Sequence, residues 1–164
     1  MTDVAVFIGS DSDYEVVKDA LEILERFGVS YTIEVTSAHR SPERTLNLVK
    51  SAEKEGVKVF IAVAGKAAHL AGVVAAHTLR PVIGVPVASS ALGGLDALFS
   101  TVQMPAGVPV AAMSLGKTGA ANAALLAAQI ISLARPELAA SLKEYRKEMV
   151  SRIENISKKI GRNR

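Results

Sequence analysis

The chain has 164 residues, of which 49% are hydrophobic, and its formal net charge is +3. The absence of cysteine excludes disulfides, thiolate metal ligands and a cysteine nucleophile. Aromatic residues form only 4% of the chain and the basic excess lies in residues 143–164, so the composition argues against nucleic-acid binding.

Five apolar runs alternate in chain order with helical patterns. The runs lie at 4–8, 29–35, 57–63, 81–87 and 108–113, and the helical patterns lie near 12–27, 42–55, 67–78, 93–102 and 119–134. Continuous apolar runs predict strands covered on both faces, and the alternation predicts right-handed βαβ units in a parallel sheet. Since no linker rich in proline, glycine or serine interrupts the pattern, we expect one domain over residues 1–164, an α/β protein built as a three-layer α/β/α sandwich of about five strands.

The termini and the apolar helices bear on where the protein works. A strand pattern begins at residue 3, which leaves no room for a signal peptide. The most apolar helical pattern, 119–134, is shorter than the roughly 20 apolar residues that a membrane span needs. We therefore expect a cytoplasmic protein that does not associate with membranes.

A last helical pattern, from about 137 to 160, carries a long apolar stripe. The stripe has spacings of four and three residues and consists of Leu138, Leu142, Tyr145, Met149, Ile153, Ile156 and Ile160. Its length exceeds what one compact domain covers. Packing against the chain's own sheet stays open, but docking against a neighbouring subunit is the preferred interpretation. The alanine-rich segment 119–128 permits close helix approach, either in the core or at an interface.

Three predicted strands end in loops of unusual composition, where open α/β sheets bind their ligands. The first loop, GSDSD at 9–13, offers a phosphate the hydroxyls of Ser10 and Ser12 and the free N–H groups of a helix N-terminus. Asp13 can accept hydrogen bonds from sugar hydroxyls. The alternative is a plain helix start with Asp11 or Ser12 as N-cap. The spacing is not G-x-G-x-x-G, so it does not predict a dinucleotide site.

The second loop, SAHRSP at 37–42, places an imidazole beside a guanidinium. Ser41 is a candidate N-cap and Pro42 suits the first position of the following helix. His39 and Arg40 would then lie at the carboxyl end of a strand. A titratable acid/base beside an anion binder indicates chemistry on a phosphorylated or carboxylated small molecule. The alternative is an ordinary surface or capping loop.

The third loop, AGKAAHLAG at 64–72, brings a second imidazole, His69, and a cation, Lys66. Its alanines and glycines let the backbone approach a planar ligand closely. The alternative for His69 is a helix histidine with a structural hydrogen bond. His77 has no such neighbours and receives no role. The three histidines lack His-x-x-x-His or carboxylate spacing, so we expect no metal.

Together these motifs resemble one family. GSDSD, SAHRSP, AAHL within 64–72, GVP at 84–86 and GLDALFSTVQMPAGVPVA at 94–111 are similar to the N5-carboxyaminoimidazole ribonucleotide mutases of purine biosynthesis, the small-subunit type of phosphoribosylaminoimidazole carboxylase. The similarity runs in order to about Arg135. It implies a flavodoxin-like fold, a homo-octamer with active sites between subunits, a small-molecule ribonucleotide substrate and no cofactor.

The resemblance also implies roles for individual residues. His39 matches the catalytic general acid/base, and His69, also expected to be catalytic, matches the wall around the aminoimidazole and the migrating carboxyl group. Ser10, Asp13 and Arg40 match ribonucleotide-binding residues. The other expected substrate-binding residues are Ser12, Ser37, Ala38, Gly65, Lys66, Ala67, Ala68 and Leu70. Gln103, Met104 and Pro105 fall in the family's loop between subunits.

The implied reaction moves a carboxylate from the exocyclic nitrogen of the aminoimidazole to carbon 4 through carbon dioxide, with His39 as proton shuttle. Lys66 stands where the common mutase has glycine, and Ala71 where it has proline. In carrying a cation, this loop resembles the loop of the branch that carboxylates aminoimidazole ribonucleotide directly. That branch, however, lacks the histidine that matches His69. A third possibility is a non-catalytic nucleotide-binding domain, because fold does not imply function.

Overall fold

The fold is an open parallel sheet with helices on both faces, seen in a computed structural model that describes residues 2–161. Residues 1 and 162–164 of the expected domain, 1–164, lie outside the described residues. The strands are β1 (Val4–Ile8), β2 (Tyr31–Val35), β3 (Val59–Gly65), β4 (Val82–Val87) and β5 (Ala111–Ala112). The helices are α1 (Tyr14–Arg26), preceded by a 3₁₀ turn (Asp11–Asp13), α2 (Pro42–Lys54), α3 (Leu70–Ala75), α4 (Leu95–Val102), α5 (Gly116–Ser132) and α6 (Pro136–Gly161).

The strand order, β2-β1-β3-β4-β5, sets the position of the site. Every pairing is parallel, and β1 lies between its two partners, with Val4 opposite both Tyr31 and Val59. The chain moves to one side of β1 for β2 and to the other side for β3. The loops after β1 and β3 therefore diverge at their carboxyl ends and leave a crevice, the usual ligand position in such sheets. The predicted three-layer α/β/α architecture is confirmed.

The sheet separates two apolar layers, because successive side chains of a strand point to opposite faces. On one face Val4, Val6 and Ile8 pack with α1 and α5. On the other face Ala5 and Phe7 pack with α2 and α3. The continuous apolar runs in the sequence thus have the predicted cause, burial on both faces. The alanines of α5 serve this core: Ala120, Ala123, Ala124, Ala127 and Ala128 are each 0% exposed.

The two edges of the sheet differ from expectation. β2 is half-buried rather than buried, since only β1 pairs with it. β5 has two residues instead of the six predicted at 108–113. Pro109 has no N–H to donate to a ladder, and Val108 instead donates its N–H to the Pro105 carbonyl in a turn. A proline inside an apolar run therefore shortened the edge strand.

The last helix packs on the domain only near its start. Leu138 is buried, and Leu142 packs against the core from a partly buried position. The Tyr145 ring meets the Phe27 ring edge-on, with centroids 5.6 Å apart. The rest of the predicted stripe, Met149, Ile153, Ile156 and Ile160, is between 47% and 66% exposed. Within residues 2–161 no helix is both long enough and apolar enough to cross a membrane.

An ion cluster around a buried carboxylate closes the amino-terminal end of the sheet. Asp3, which precedes β1, is 3% exposed and pairs with Lys58, before β3, and with Arg135, between α5 and α6. Burial alone would raise the pKa of Asp3, but hydrogen bonds from Arg135, Lys58 and Ser30 hold that pKa at about 2. One carboxylate thus joins three segments that are distant in sequence.

Candidate active site

Four loops at the carboxyl ends of β1, β2, β3 and β4 surround a cavity of about 610 Å³. Its lining consists of Gly9, Ser10, Ser12, Asp13, Ser37, Ala38, His39, Arg40, Ala64, Gly65, Lys66, Ala67, His69, Leu70 and Ser89. Of the residues predicted to form a site, only Ala68 is absent from this lining, since it is 3% exposed beneath the third loop. The structure therefore brings the three predicted loops into one crevice.

The two predicted catalytic histidines contact each other across this cavity. His39 Nε2 lies 2.7 Å from His69 Nδ1, and the two rings meet at 75°. One ring must donate and the other accept, so the pair holds a single bridging proton. The alternative for His69, a structural bond within its own helix, is not what the structure has. His77 makes that kind of bond, from Nδ1 to the Val73 carbonyl at 2.9 Å.

The SAHRSP loop is a tight turn that presents His39 and Arg40. The Ser41 N–H donates to the Ser37 carbonyl, and the Arg40 N–H donates to Ser37 Oγ at 3.1 Å. Ser41 occupies the predicted N-cap position of α2, and Pro42 starts the helix, but the Ser41 hydroxyl does not cap it. That hydroxyl instead bonds to the backbone of Ser37. The Arg40 guanidinium donates to the Gly9 carbonyl at 3.1 Å, which ties the second loop to the first.

The first loop combines two serine hydroxyls, hydrogen-bonded within the loop, with a buried carboxylate. Ser10 Oγ donates to Asp11, and Ser12 Oγ donates to Ser10 Oγ. Neither Asp11 nor Ser12 is the N-cap of α1, because both lie within the 3₁₀ turn and α1 begins only at Tyr14. Asp13 is 5% exposed and has no ion pair within residues 2–161. Burial raises the pKa of Asp13, although backbone N–H groups partly oppose this.

The third loop contains a strained residue. Lys66 has φ of +56°, and no other residue except glycine has a positive φ among those the structure describes. The left-handed conformation costs a side-chain-bearing residue about 1–2 kcal/mol. The Lys66 side chain is exposed at the cavity wall and makes no ion pair within the described part of the chain. A cation without a protein partner is available to a ligand.

Ser89 is a lining residue that the sequence reasoning missed. It follows β4, and its Oγ lies 1.9 Å from the position that a Cβ on Gly65 would occupy. Gly65 is therefore required for the contact between the two loops. The Ser89 hydroxyl makes no hydrogen bond to any residue that the structure describes, so it can serve a ligand. The strand-end rule that selected the other loops would have found Ser89 if it had been applied to the fourth strand.

The three residues expected between subunits lie outside this cavity. Gln103 and Pro105 are exposed, and the Met104 sulfur packs 3.2 Å from the position of a Cβ on Gly72. Within residues 2–161 no three histidine, aspartate or glutamate side chains are grouped as metal ligands. What the cavity offers a ligand is a hydrogen-bonded imidazole pair, two cations, four serine hydroxyls and one buried carboxylate.

Comparison with known proteins covers nearly the whole chain. The family model for AIR carboxylase matches residues 3–152. The N5-carboxyaminoimidazole ribonucleotide mutase of Pyrococcus horikoshii is 50% identical over 157 residues, which are 96% of this chain and 88% of that protein. The enzyme of the same name from Escherichia coli is 50% identical over 150 residues, 92% of this chain and 89% of its own. The crystal structure of Treponema denticola PurE superposes with a TM-score of 0.88 at 31% identity, covering 97% of this chain and 98% of that one.

Proposed function

Since this chain belongs to the AIR carboxylase family, we propose that it is an N5-carboxyaminoimidazole ribonucleotide mutase of purine biosynthesis. It interconverts N5-carboxyaminoimidazole ribonucleotide and 4-carboxyaminoimidazole ribonucleotide, works in the cytoplasm and uses no cofactor. The observation that carries this proposal is the His39–His69 hydrogen bond of 2.7 Å inside a cavity that also holds Arg40.

The reaction has two steps, loss of carbon dioxide from the nitrogen and its addition to carbon 4, and one proton is transferred in each step. The bond between the exocyclic nitrogen and the carboxyl carbon breaks, carbon dioxide leaves, and His39 delivers a proton to the nitrogen. Carbon 4 of the electron-rich ring then attacks the carbon dioxide. His39 removes the proton from carbon 4, which restores the aromatic ring and returns the histidine to its initial state. Imidazole suits both directions of transfer near neutral pH. We assign the shuttled proton to the one that His39 shares with His69.

The rest of the cavity supplies binding and positioning. Arg40 lines both the main cavity and a neighbouring recess of about 370 Å³, and we place the phosphate there with the hydroxyls of Ser10, Ser12 and Ser37. Asp13 accepts hydrogen bonds from the ribose hydroxyls. Ala38, Gly65, Ala67 and Leu70 form the narrow wall against the aminoimidazole ring, and Ala68 lies buried beneath that wall. Contacts of this kind hold the ring where carbon dioxide is released, so recapture competes with escape.

The direct carboxylase is the alternative that Lys66 suggests, and two observations disfavour it. The imidazole pair is complete, and the His69 position is the one that the direct carboxylase branch lacks. Relatives that are about half identical are named for the mutase reaction. Lys66 is compatible with a mutase, because its free ammonium can pair with the migrating carboxylate. A non-catalytic nucleotide-binding domain would not require two hydrogen-bonded imidazoles.

An assay with the two candidate substrates tests the proposal. Purified protein should convert the carbamate, N5-carboxyaminoimidazole ribonucleotide, without added bicarbonate. The His39→Asn protein serves as the matched control for spontaneous loss of carbon dioxide from the carbamate. If turnover instead requires dissolved carbon dioxide and the uncarboxylated ribonucleotide, while the carbamate is inert, the direct carboxylase replaces the mutase.

We further propose a homo-octamer with its sites near subunit boundaries. Support comes from two exposed apolar faces. Leu95, Phe99 and Val102 project from α4 with exposures between 49% and 57%, and the distal residues of α6 are similarly exposed. Gln103 to Pro105 follow α4 directly, so a partner seated on α4 also reaches that segment. Light scattering should report about eight chains per particle, and a monomeric particle would refute the shared site.

A further inference from the structure

We infer that two buried threonines, Thr36 and Thr45, are positioning residues for the turn that carries His39 and Arg40. Neither threonine lines the main cavity, although Thr36 borders the neighbouring recess that also contains Arg40. The kinetic consequences of the inference rest on the proposed function, whereas its structural consequences do not.

The two threonines meet in the interior. Thr36 follows β2 and is 2% exposed, and its N–H donates to the Ile8 carbonyl of β1. Thr45 lies in the first turn of α2 and is 0% exposed. Their Oγ1 atoms are 2.8 Å apart. The pair therefore links the end of a strand to the start of a helix, on the two sides of the turn at 37–41.

Ser41 connects this pair to the turn. Thr45 Oγ1 donates to the Ser41 carbonyl at 3.2 Å. Ser41 Oγ lies 3.4 Å from Thr36 Oγ1, accepts the Ser37 N–H at 3.0 Å and donates to the Ser37 carbonyl at 3.2 Å. Ser37 Oγ in turn accepts the Arg40 N–H. Hydroxyl contacts thus run from the threonine pair to the backbone of the arginine.

Proton counting gives this chain a direction. Each hydroxyl has one proton to donate. Thr45 gives its proton to the Ser41 carbonyl, so Thr36 must be the donor to Thr45. Ser41 gives its own proton to the Ser37 carbonyl. All three hydroxyls then donate once, and the network behind the turn is fully satisfied. A satisfied buried network is rigid and specifies one arrangement.

Hydroxyls have this role because the turn has little apolar anchoring. Among residues 37–41 only Ala38 packs against the apolar core. His39 and Arg40 are exposed, yet each makes a specific bond, to His69 Nδ1 and to the Gly9 carbonyl. Loosening the turn would lengthen both bonds. Small errors in placing a catalytic group reduce rate strongly.

The test removes the Thr45 hydroxyl while keeping its shape. Thr45→Val should lower kcat by about tenfold, and Thr45→Ser should stay within about twofold of wild type, since it keeps the hydroxyl. Thr101→Val is the matched control. Thr101 is also buried in a helix, and its hydroxyl donates to the Ala97 carbonyl four residues back, at 2.8 Å, but it contacts no part of the turn. Its kcat should be unchanged, even if its unfolding temperature falls as far as that of Thr45→Val.

A readout that needs no turnover separates this inference from the proposed function. In the ¹⁵N spectrum of the histidine side chains, the His39 and His69 signals should shift in Thr45→Val but not in Thr101→Val. A Thr45→Val protein with wild-type histidine signals and wild-type kcat would overturn the inference. A wild-type protein that does not turn over the carbamate would overturn the proposed function alone, and the spectra would still decide the positioning role.

A milder variant covers the case in which Thr45→Val does not fold. Thr36→Val removes the bond between the two threonines but leaves the bond from Thr45 to the Ser41 carbonyl in place, so the turn is still held at Ser41. We expect the same shift of the histidine signals and a loss of about threefold in kcat. Unchanged spectra and unchanged kcat in Thr36→Val would contradict the positioning role.

Discussion

Two buried aspartates at opposite ends of β1 have opposite electrostatic surroundings. Asp3 and Asp13 are 3% and 5% exposed. At the amino end, burial would raise the pKa of Asp3, but hydrogen bonds from Arg135, Lys58 and Ser30 outweigh burial and hold that pKa at about 2. At the carboxyl end, burial dominates and raises the pKa of Asp13, since only backbone N–H groups oppose it. Two cations compensate the charge of Asp3, whereas Asp13 has no ion pair within residues 2–161.

The difference distinguishes the edge of the sheet where a buried charge is compensated from the edge where the proposed site lies. The Asp3 cluster joins β1, the start of β3 and the segment before α6, and it leaves its charges paired. The opposite edge collects three groups that have no ion pair and no side-chain hydrogen bond among the described residues, namely Asp13, Lys66 and the Ser89 hydroxyl. Asp13 is the buried member of the three, and a buried charge without a counter-ion costs stability unless a ligand supplies a partner. Such groups are typical of a ligand-binding edge, and the proposed site lies at this edge.

The largest effect that we expect at the carboxyl edge is a loss of catalytic rate with little change in the free energy of unfolding. His39→Asn should reduce kcat by at least about 100-fold, because it removes the proton shuttle. Ribonucleotide binding should persist through Arg40 and Ser10, and the free energy of unfolding should change little, since His39 is exposed. Steady-state kinetics, ligand titration and denaturant unfolding measure the three quantities. A near-normal kcat in this variant would contradict the role of His39 as proton shuttle.

Substitution of Asp3 at the amino edge should instead lower the free energy of unfolding and leave the catalytic rate unchanged. The folded pKa of Asp3, about 2, lies below its usual value of 3.8, so its contribution is complete above about pH 4 and is lost as the pH falls toward 2. This shift corresponds to about 2 kcal/mol at neutral pH. Asp3→Asn should therefore lower the free energy of unfolding by about 2 kcal/mol at pH 7 and leave kcat intact.

The control for Asp3 is an exposed ion pair on α6, between Lys147 and Glu144. Glu144→Gln should change the free energy of unfolding by less than about 0.5 kcal/mol, since solvent screens such pairs. Urea unfolding between pH 2 and pH 7 compares the two variants. If wild type and Asp3→Asn lose stability in parallel as the pH falls below 4, the ion cluster is not the source of acid sensitivity.

Asp13→Asn should give the reverse result, greater stability and weaker binding. The folded pKa of Asp13 is raised, so its charged form opposes folding, and the stability of the wild type falls as the pH rises above the ordinary value of 3.8. Removing the charge should raise the free energy of unfolding at pH 7. Ribonucleotide affinity should fall about tenfold, through loss of charge-assisted hydrogen bonds to the ribose.

Asp11 is the neighbouring carboxylate for comparison. It is exposed, and its hydrogen bond from Ser10 lowers its pKa. Asp11→Asn should therefore not increase stability. Thermal unfolding and ligand titration at pH 7 distinguish the two aspartates. An Asp13→Asn protein that is less stable than wild type would show that this carboxylate is structural, as Asp3 is.

The smallest effect should come from Lys66. Lys66→Gly should raise KM for the carboxylated substrate about fivefold and leave binding of the uncarboxylated ribonucleotide unchanged, because an exposed ion pair contributes about 1 kcal/mol. It should not destabilise the protein, since glycine accepts the φ of +56° without strain. Lys66→Asn separates charge from conformation, as asparagine is neutral and tolerates this region. If Lys66→Asn keeps the wild-type KM, the ammonium does not contact substrate.

Most of the fold could be predicted because its signals are local. In the predicted run at 57–63 every position except Lys58 is apolar, which burial on both faces explains, and β3 begins there at Val59 with both faces covered. The predictions were wrong where the length or burial of an element depends on the segments packed beside it. β5 is short because Pro109 interrupts an edge, and β2 is half-buried because it has one partner. The Ser41 hydroxyl bonds to Ser37 instead of capping α2 because the turn folds back onto it.

The candidate site could be located from the sequence, but its internal geometry could not. The strand-end rule identified the loops of His39, Asp13 and Lys66, because parallel strands bring their carboxyl ends to one edge. The rule did not give the distance between His39 and His69, which are 30 residues apart and meet only through the β1–β2 and β1–β3 registers. Ser89 was missed although the same rule covers it.

The sequence by itself determined the parallel sheet, the order of its elements, the loops of the candidate site and, through its motifs, the family. Those features depend on short-range patterns of burial, glycine and proline, which can be read residue by residue. Only the tertiary structure decided that Asp3 lies beside two cations while Asp13 has no ion pair among the described residues, and that Thr36 and Thr45 meet behind the turn at 37–41. Charge pairing and hydroxyl networks depend on distances between residues far apart in the chain, and these distances exist only once the sheet and its helices have packed.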